Sequence, residues 1–108
     1  MTFDDYQKFT DETDVYPKKE NNFVYTLGLV GEAGEVAEKV KKIIRDDGGI
    51  MNSDTKSDIV RELGDVLWYI TRFAKMLGFS LEQVAAMNIE KLQSRKDRNK
   101  LHGAGDNR

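Results

Sequence analysis

Cysteine is absent from this 108-residue chain. That removes disulfides, zinc–thiolate sites, iron–sulfur clusters and cysteine nucleophiles from consideration. The lack fits a reducing compartment, and the expected location is the cytoplasm. Histidine occurs once, as His102 near the C-terminus, and proline once, as Pro17. A di-iron carboxylate bundle built on Glu-x-x-His is therefore excluded, and so little histidine argues against a Ser-His-Asp triad. No Gly-x-x-x-x-Gly-Lys-Ser/Thr loop occurs, so this is not a P-loop chain. No apolar run approaches the roughly 18 residues needed to span a bilayer. Residues 1–13 are acidic and mixed, without the apolar stretch of a secretory signal. The net charge of −2 supplies no long-range attraction to nucleic acid or anionic membrane, and neither is expected as a partner.

What is present reads as helix. Hydrophobic residues make up 39% and charged residues 33% of the chain. A chain this short buries only about 60–70% of its unfolded surface, so some helices are expected to cover their apolar sides with a partner chain. Phe3, Tyr6 and Phe9 recur at helical spacing, which predicts a helix over 3–12, and Pro17 breaks that pattern. A second helix is expected over 21–45, capped by Asn21 or Asn22 and stopped by Asp46-Asp47-Gly48-Gly49. A third runs over 55–77, with Gly78 at a left-handed cap position. Ser80 and Gln83 form a capping box for a fourth over 81–97, and residues 99–108 are a loose tail. No segment reads as a strand, so the expected class is all-α, one domain spanning 1–108.

Two acidic words stand out, Gly31-Glu32-Ala33-Gly34-Glu35-Val36-Ala37-Glu38 and Glu62-Leu63-Gly64-Asp65-Val66-Leu67-Trp68-Tyr69. In each, two carboxylates three residues apart share one helix face, where like charges weaken an isolated helix. On the second helix Leu29, Ala33, Val36, Val40, Ile43 and Ile44 fall on one broad apolar arc, which Val30 and Ala37 extend, and Glu32 lies at its edge. On the third, Ile59, Val60, Leu63, Val66, Leu67, Ile70, Phe73 and Ala74 make the arc, with Glu62 at its edge and Asp65 just outside. If the arcs pack together, Glu32, Glu35, Glu62 and Asp65 can converge on a hard, oxygen-liking cation such as Mg²⁺. A solvated, salt-bridged face would show the same spacing, and acid pairs three apart also occur at Asp11/Asp14 and Glu35/Glu38. Gly34 and Gly64 tilt the balance, because glycine inside a helix costs about 1 kcal/mol relative to alanine. Each either permits close helix–helix packing or serves the site.

The pattern Glu32-x-x-Glu35, twenty-six residues, Glu62-x-x-Asp65, with the words around it, resembles the MazG-like family of nucleoside triphosphate pyrophosphohydrolases over about residues 20–98. The resemblance implies a four-helix, antiparallel-bundle protomer that assembles as a homodimer or homotetramer. It implies Mg²⁺-dependent cleavage of a (deoxy)nucleoside triphosphate between the α and β phosphates, giving monophosphate and pyrophosphate, in nucleotide-pool housekeeping. The implied metal ligands are Glu32, Glu35, Glu62 and Asp65, and Mn²⁺ is a possible substitute ion. Glu35 and Glu38 are the candidate proton acceptors, although Glu38 could instead pair with Lys42 one turn on.

Asn88, Lys91, Arg95 and Arg98 form one stripe of the fourth helix that could clamp phosphates, or could simply favour the helix dipole. Lys39 and Lys42 are alternative phosphate partners. Trp68 and Tyr69 could stack on a base, or belong to an interface between chains. The competing reading is a non-catalytic helical bundle that binds nucleotide or another protein.

Overall fold

The computed structural model describes residues 1–17 and 23–108. Among them the chain forms four helices and no strand: α1 (Phe3–Thr13), α2 (Val24–Asp47), α3 (Ser53–Met76) and α4 (Leu81–Asp97). The all-α expectation holds. The residues expected to cap the second helix, Asn21 and Asn22, lie outside the described residues.

Local chemistry sets most helix ends. The Thr2 hydroxyl accepts from Asp5 N–H while the Asp5 carboxylate accepts from Thr2 N–H, a capping box that opens α1. The Asn52 side chain accepts from Thr55 N–H, so α3 starts at Ser53, slightly before the position that spacing suggests. Ser80 and Gln83 form the expected box at α4. α2 ends on Gly48 at φ 61°, a left-handed conformation that favours glycine.

α2 and α3 pair as an antiparallel hairpin, with Lys39 beside Glu62 and Gly28 beside Tyr69. α1 and α4 rest on α3 and on each other. The helix packing fits a bundle, but among the described residues α4 does not reach α2. The apolar core is therefore small, holding Tyr25, Ile43, Ala74 and Leu81. Fully buried Thr10 and Thr71 return their hydroxyls to the Gln7 and Leu67 carbonyls. The Gln7 side-chain oxygen accepts the Leu81 N–H and so ties α1 to the start of α4.

The broad apolar arc expected on α2 proves to have two halves. Ile43 is buried and Leu29, Val36 and Val40 are half-buried, whereas Val30, Ala33, Ala37 and Ile44 remain exposed. No helix among the described residues is long and apolar enough to cross a membrane.

An ionic knot fastens α1 to α3. The Arg72 side chain, only 4% exposed, donates to Asp14 at 2.8 Å and also pairs with Asp11. Lys75 joins Asp11, and the Tyr25 hydroxyl donates to Asp14. Burial pushes the Asp14 carboxyl up, but hydrogen bonds from Tyr25, the Tyr16 N–H and Arg72 outweigh it and hold the group below its ordinary range. Hydrogen bonds from Lys75 and Arg72 lower Asp11. A buried charge persists only when it is paired and hydrogen-bonded in this way.

One close approach controls the α2–α3 hairpin. A Cβ built on Gly28 would lie 2.1 Å from a Tyr69 ring carbon. Glycine lets that ring approach the α2 backbone closely, and the Tyr69 hydroxyl is hydrogen-bonded to that of Tyr16 at 2.8 Å. Gly28→Ala should therefore destabilise the protein by about 1–3 kcal/mol, the usual cost of overpacking. Urea denaturation of both proteins checks this, and an unchanged midpoint would contradict the packing described.

Candidate metal centre

The register of the α2–α3 hairpin brings three carboxylates to one point. Ligand oxygens of Glu32, Glu62 and Asp65 all lie within 4.8 Å of one another. Glu32 and Glu62 are half-buried and Asp65 is exposed, so the cluster sits at the rim of the helix interface. Burial first, then the charges of Asp65, Glu62 and Glu35 and a hydrogen bond with Glu62, hold the Glu32 carboxyl above the ordinary glutamate range. Like charges this close cannot all ionise comfortably without a counter-charge. Lys39 supplies part of it, 3.6 Å from Glu62. The donor set is all hard oxygen and open to water on one side, which suits a Mg²⁺- or Mn²⁺-type ion better than zinc.

The fourth acid expected here stands apart. Glu35 is exposed and outside the converging oxygens, although its charge still acts on Glu32. Among the described residues it makes no ion pair. Glu38 pairs with Lys41 at 2.8 Å rather than with Lys42, and that contact keeps its carboxyl low.

Two cavities flank the acids along the hairpin. On the side toward the α2–α3 loop, Lys39 and Lys42 line a cavity of ≈ 180 Å³ with Ile43, Thr55 and three carboxylates, Asp46, Asp47 and Asp58. On the other side Trp68 and Tyr69 line one of ≈ 350 Å³ with Thr13, Val15 and Tyr16, and Glu32 and Asp65 form its edge. The Trp68 and Tyr69 rings meet edge to face, centroids 4.9 Å apart. Tyr16, Thr13 and Val15 come from the end of α1 and the chain after it, a contribution that no spacing argument revealed.

The basic stripe of α4 is not brought to the acids within this chain. Asn88 and Lys91 line a separate, largely apolar cavity with Leu77, Phe79, Val84 and Met87. Arg95 is buried, and its guanidinium donates to the Asp106 carbonyl at 2.9 Å. Arg98 binds Ser94 and the Arg108 carbonyl. The expected phosphate-clamping role of Arg95 thus meets a side chain already committed to the C-terminal segment.

Residues 21–99 match the family model described as the MazG nucleotide pyrophosphohydrolase domain. The chain is 46% identical to the "Gene 37 protein" of Mycobacterium phage L5, over the full length of both. It is 38% identical to the "Uncharacterized protein YvdC" of Bacillus subtilis (strain 168), over 68% of this chain and 74% of that one. No solved structure matches.

The cluster makes a prediction about stability. Asp65→Asn removes the charge that most strongly opposes ionisation of Glu32. Without divalent ions the variant should be more stable than the parent by about 0.5 kcal/mol, roughly 2–4 °C in Tm. With Mg²⁺ the order should reverse, because only the parent retains the full donor set. Thermal melts with and without EDTA check both halves.

Proposed function

This chain belongs to the MazG nucleotide pyrophosphohydrolase family, and from that membership we propose that it hydrolyses (deoxy)nucleoside triphosphates at the α–β phosphate bond, releasing monophosphate and pyrophosphate, in cytoplasmic nucleotide-pool control. The observation that carries the reading is the convergence of Glu32, Glu62 and Asp65 from two rigid helices. These three would hold Mg²⁺, with Glu35 at the edge of the shell. A bound Mg²⁺ would supply neutralisation of phosphate charge and a lowered pKa for its water.

The chain's own residues account for the remaining parts. Water adds to one phosphorus of the α–β bridge, the bridging oxygen leaves with the bonding electrons, and a carboxylate takes the water's proton. Glu35 fits that last role better than Glu38, because Glu38 is occupied by Lys41 and Glu35 is not held by any cation among the described residues. Lys39 and Lys42 line the cavity on the loop side of the acids and would receive phosphate oxygens there. Trp68 lines the cavity on the other side and would stack on the base there. The polarity of the substrate follows, nucleoside toward α1 and phosphates toward the α2–α3 loop. Asn88 and Lys91 could take part only from another copy of the chain or after a rearrangement of α4.

The expected outcome with purified protein, Mg²⁺ and a panel of eight ribo- and deoxyribonucleoside triphosphates is pyrophosphate and the matching monophosphate. Orthophosphate release, or no turnover with any of them, overturns the reading. Glu35→Gln should lower kcat by about 10²–10⁴-fold, the usual worth of a positioned base. It should leave nucleotide affinity within a few-fold.

A homodimer or homotetramer is also proposed. Leu27 (71% exposed), Val30 (69%) and Val60 (64%) lie with Leu63 on the outer side of the hairpin. Gly34 and Gly64 lie among them, with nothing within 4 Å of a built Cβ. In an isolated protomer Gly34→Ala would favour the helix by up to about 1 kcal/mol. Where a second copy packs closely on this stripe, the same change weakens association. Light scattering against concentration should therefore show Gly34→Ala and Val30→Glu dissociating at concentrations where the parent remains assembled.

A further inference from the structure

Residues 99–108 fold back onto the last turns of α4, and local chemistry sets the reversal. Asn99 takes φ 56°, a left-handed conformation that asparagine tolerates. The Asn99 N–H donates to the Lys96 carbonyl at 3.1 Å and the Lys100 N–H to the Arg95 carbonyl at 2.6 Å. These two bonds make a Schellman turn, which closes the helix and sends the chain back along it. Gly103 at φ 138° and Gly105 at φ 84° turn it again. The Arg108 guanidinium then fastens the loop, donating to the carbonyls of Lys100 at 3.2 Å, Leu101 at 3.2 Å and Gly105 at 2.6 Å.

What the segment meets on α4 is the basic stripe. The Arg95 side chain is only 6% exposed. Its guanidinium donates to the carbonyls of Asp106 at 2.9 Å and Gly105 at 3.5 Å. Arg98 donates to the Arg108 carbonyl at 2.7 Å. The Asp106 carboxylate stands 3.7 Å from Arg95 and 3.8 Å from Lys91, and it is 90% exposed. Three cations of one helix face are thus met by neutral carbonyls and one solvated carboxylate. An ion pair in that setting contributes little. An oxyanion would offer a guanidinium two parallel hydrogen bonds and neutralise its charge, and a carbonyl does neither.

The composition of the segment favours its release. Lys100 and Arg108 against Asp106 leave it a net charge of +1 with His102 neutral, so a basic segment lies on a basic helix face. Its one large apolar side chain, Leu101, is exposed. A segment with so little buried apolar surface opens at small cost.

We propose that residues 99–108 are a displaceable strap over an oxyanion site made by Lys91, Arg95 and Arg98, so that the closed strap and a bound polyphosphate exclude one another. The carbonyls of Asp106 and Arg108 hold the positions that phosphate oxygens take when the strap lifts. The choice of a polyphosphate rests on the pyrophosphohydrolase reading, whereas the strap and its cations do not. The acid cluster plays no part, since none of these cations pairs with Glu32, Glu62 or Asp65 within the chain.

Trypsin reads the strap, because cleavage after Lys100 needs that bond extended, and Lys100 is held at both its N–H and its carbonyl. The probe is inorganic pyrophosphate with the full-length protein in EDTA, so that no divalent ion bridges it to the acids. Pyrophosphate should speed release of the fragment 101–108 several-fold, and sodium chloride at the same ionic strength should not. Gly103→Val strains φ 138° and crowds the Arg108 side chain, which opens the strap. The variant should bind pyrophosphate about tenfold more tightly by calorimetry, the factor for a strap open a tenth of the time. Exposed Lys91→Gln should weaken binding and abolish the effect of pyrophosphate on cleavage. Cleavage that pyrophosphate leaves unchanged or slows, an equal effect of sodium chloride, or no gain of affinity in Gly103→Val overturns the proposal. Pyrophosphate production from nucleotides with an unresponsive strap leaves the activity standing without it. A responsive strap without turnover of any nucleoside triphosphate sustains the strap and overturns the activity.

Discussion

The Arg72 guanidinium sits at the junction of α1 and α3, and Asp11 and Asp14 meet its charge from the end of α1. Removing one partner of such a buried pair leaves an uncompensated charge and costs about 3–5 kcal/mol. That asymmetry makes the knot a constraint on how α1 docks, since both carboxylates must reach Arg72. α1 in turn holds the Gln7 oxygen on the first turn of α4. It also holds Thr13 on Trp68, and Tyr16 follows directly on Tyr69. The helix order of the protomer and the wall of the aromatic cavity therefore share one electrostatic cause.

The acidic cluster is the opposite case, a set of charges that the fold brings together without neutralising them. Backbone rigidity makes this possible. Glu62 and Asp65 stand one turn apart on α3, and Glu32 faces them from α2 because the hairpin register is fixed by Ile43, Tyr25 and the Tyr69–Gly28 contact. Burial and the charges of Asp65, Glu62 and Glu35 raise the Glu32 carboxyl. Stability withheld at a site in this way is characteristic of positions that a ligand completes.

Much of the architecture was legible from the chain alone. Helical periodicity and the caps at Ser80 and Gly48 depend on neighbours within a few positions, and those signals are local. The convergence of Glu32, Glu62 and Asp65 was legible too, because helical phase and an antiparallel hairpin suffice to derive it. Glu35 shows the limit of that method. Its phase places it only one step beyond Glu32, yet one step turns the side chain out to water. The Asp11/Asp14 pair looked like an ordinary solvated repeat of the i, i+3 acid spacing. Its role depends on Arg72, more than fifty positions away, and no local signal connects them. Gly28 escaped notice for the same reason, since its constraint is the Tyr69 ring on another helix. Gly34 and Gly64, each set between paired acids, have nothing within 4 Å of a built Cβ among the described residues.

Charge balance narrows what the hairpin can hold. Three carboxylates at the rim, joined by a polyphosphate, would place many negative charges in one groove, and Lys39 is already shared with Glu62. The α4 cations do not relieve this within the chain, because Arg95 is tied to the Asp106 carbonyl and Lys91 lies in a separate cavity. A divalent cation at the acids and Lys42 beside them are the compensation that the groove itself permits. On the proposed function, binding of the polyphosphate would be coupled to that of the cation, each raising the affinity for the other by the same factor. The aromatic cavity shares Glu32 and Asp65 with the acidic cluster, so a cation at the acids would alter its charge as well.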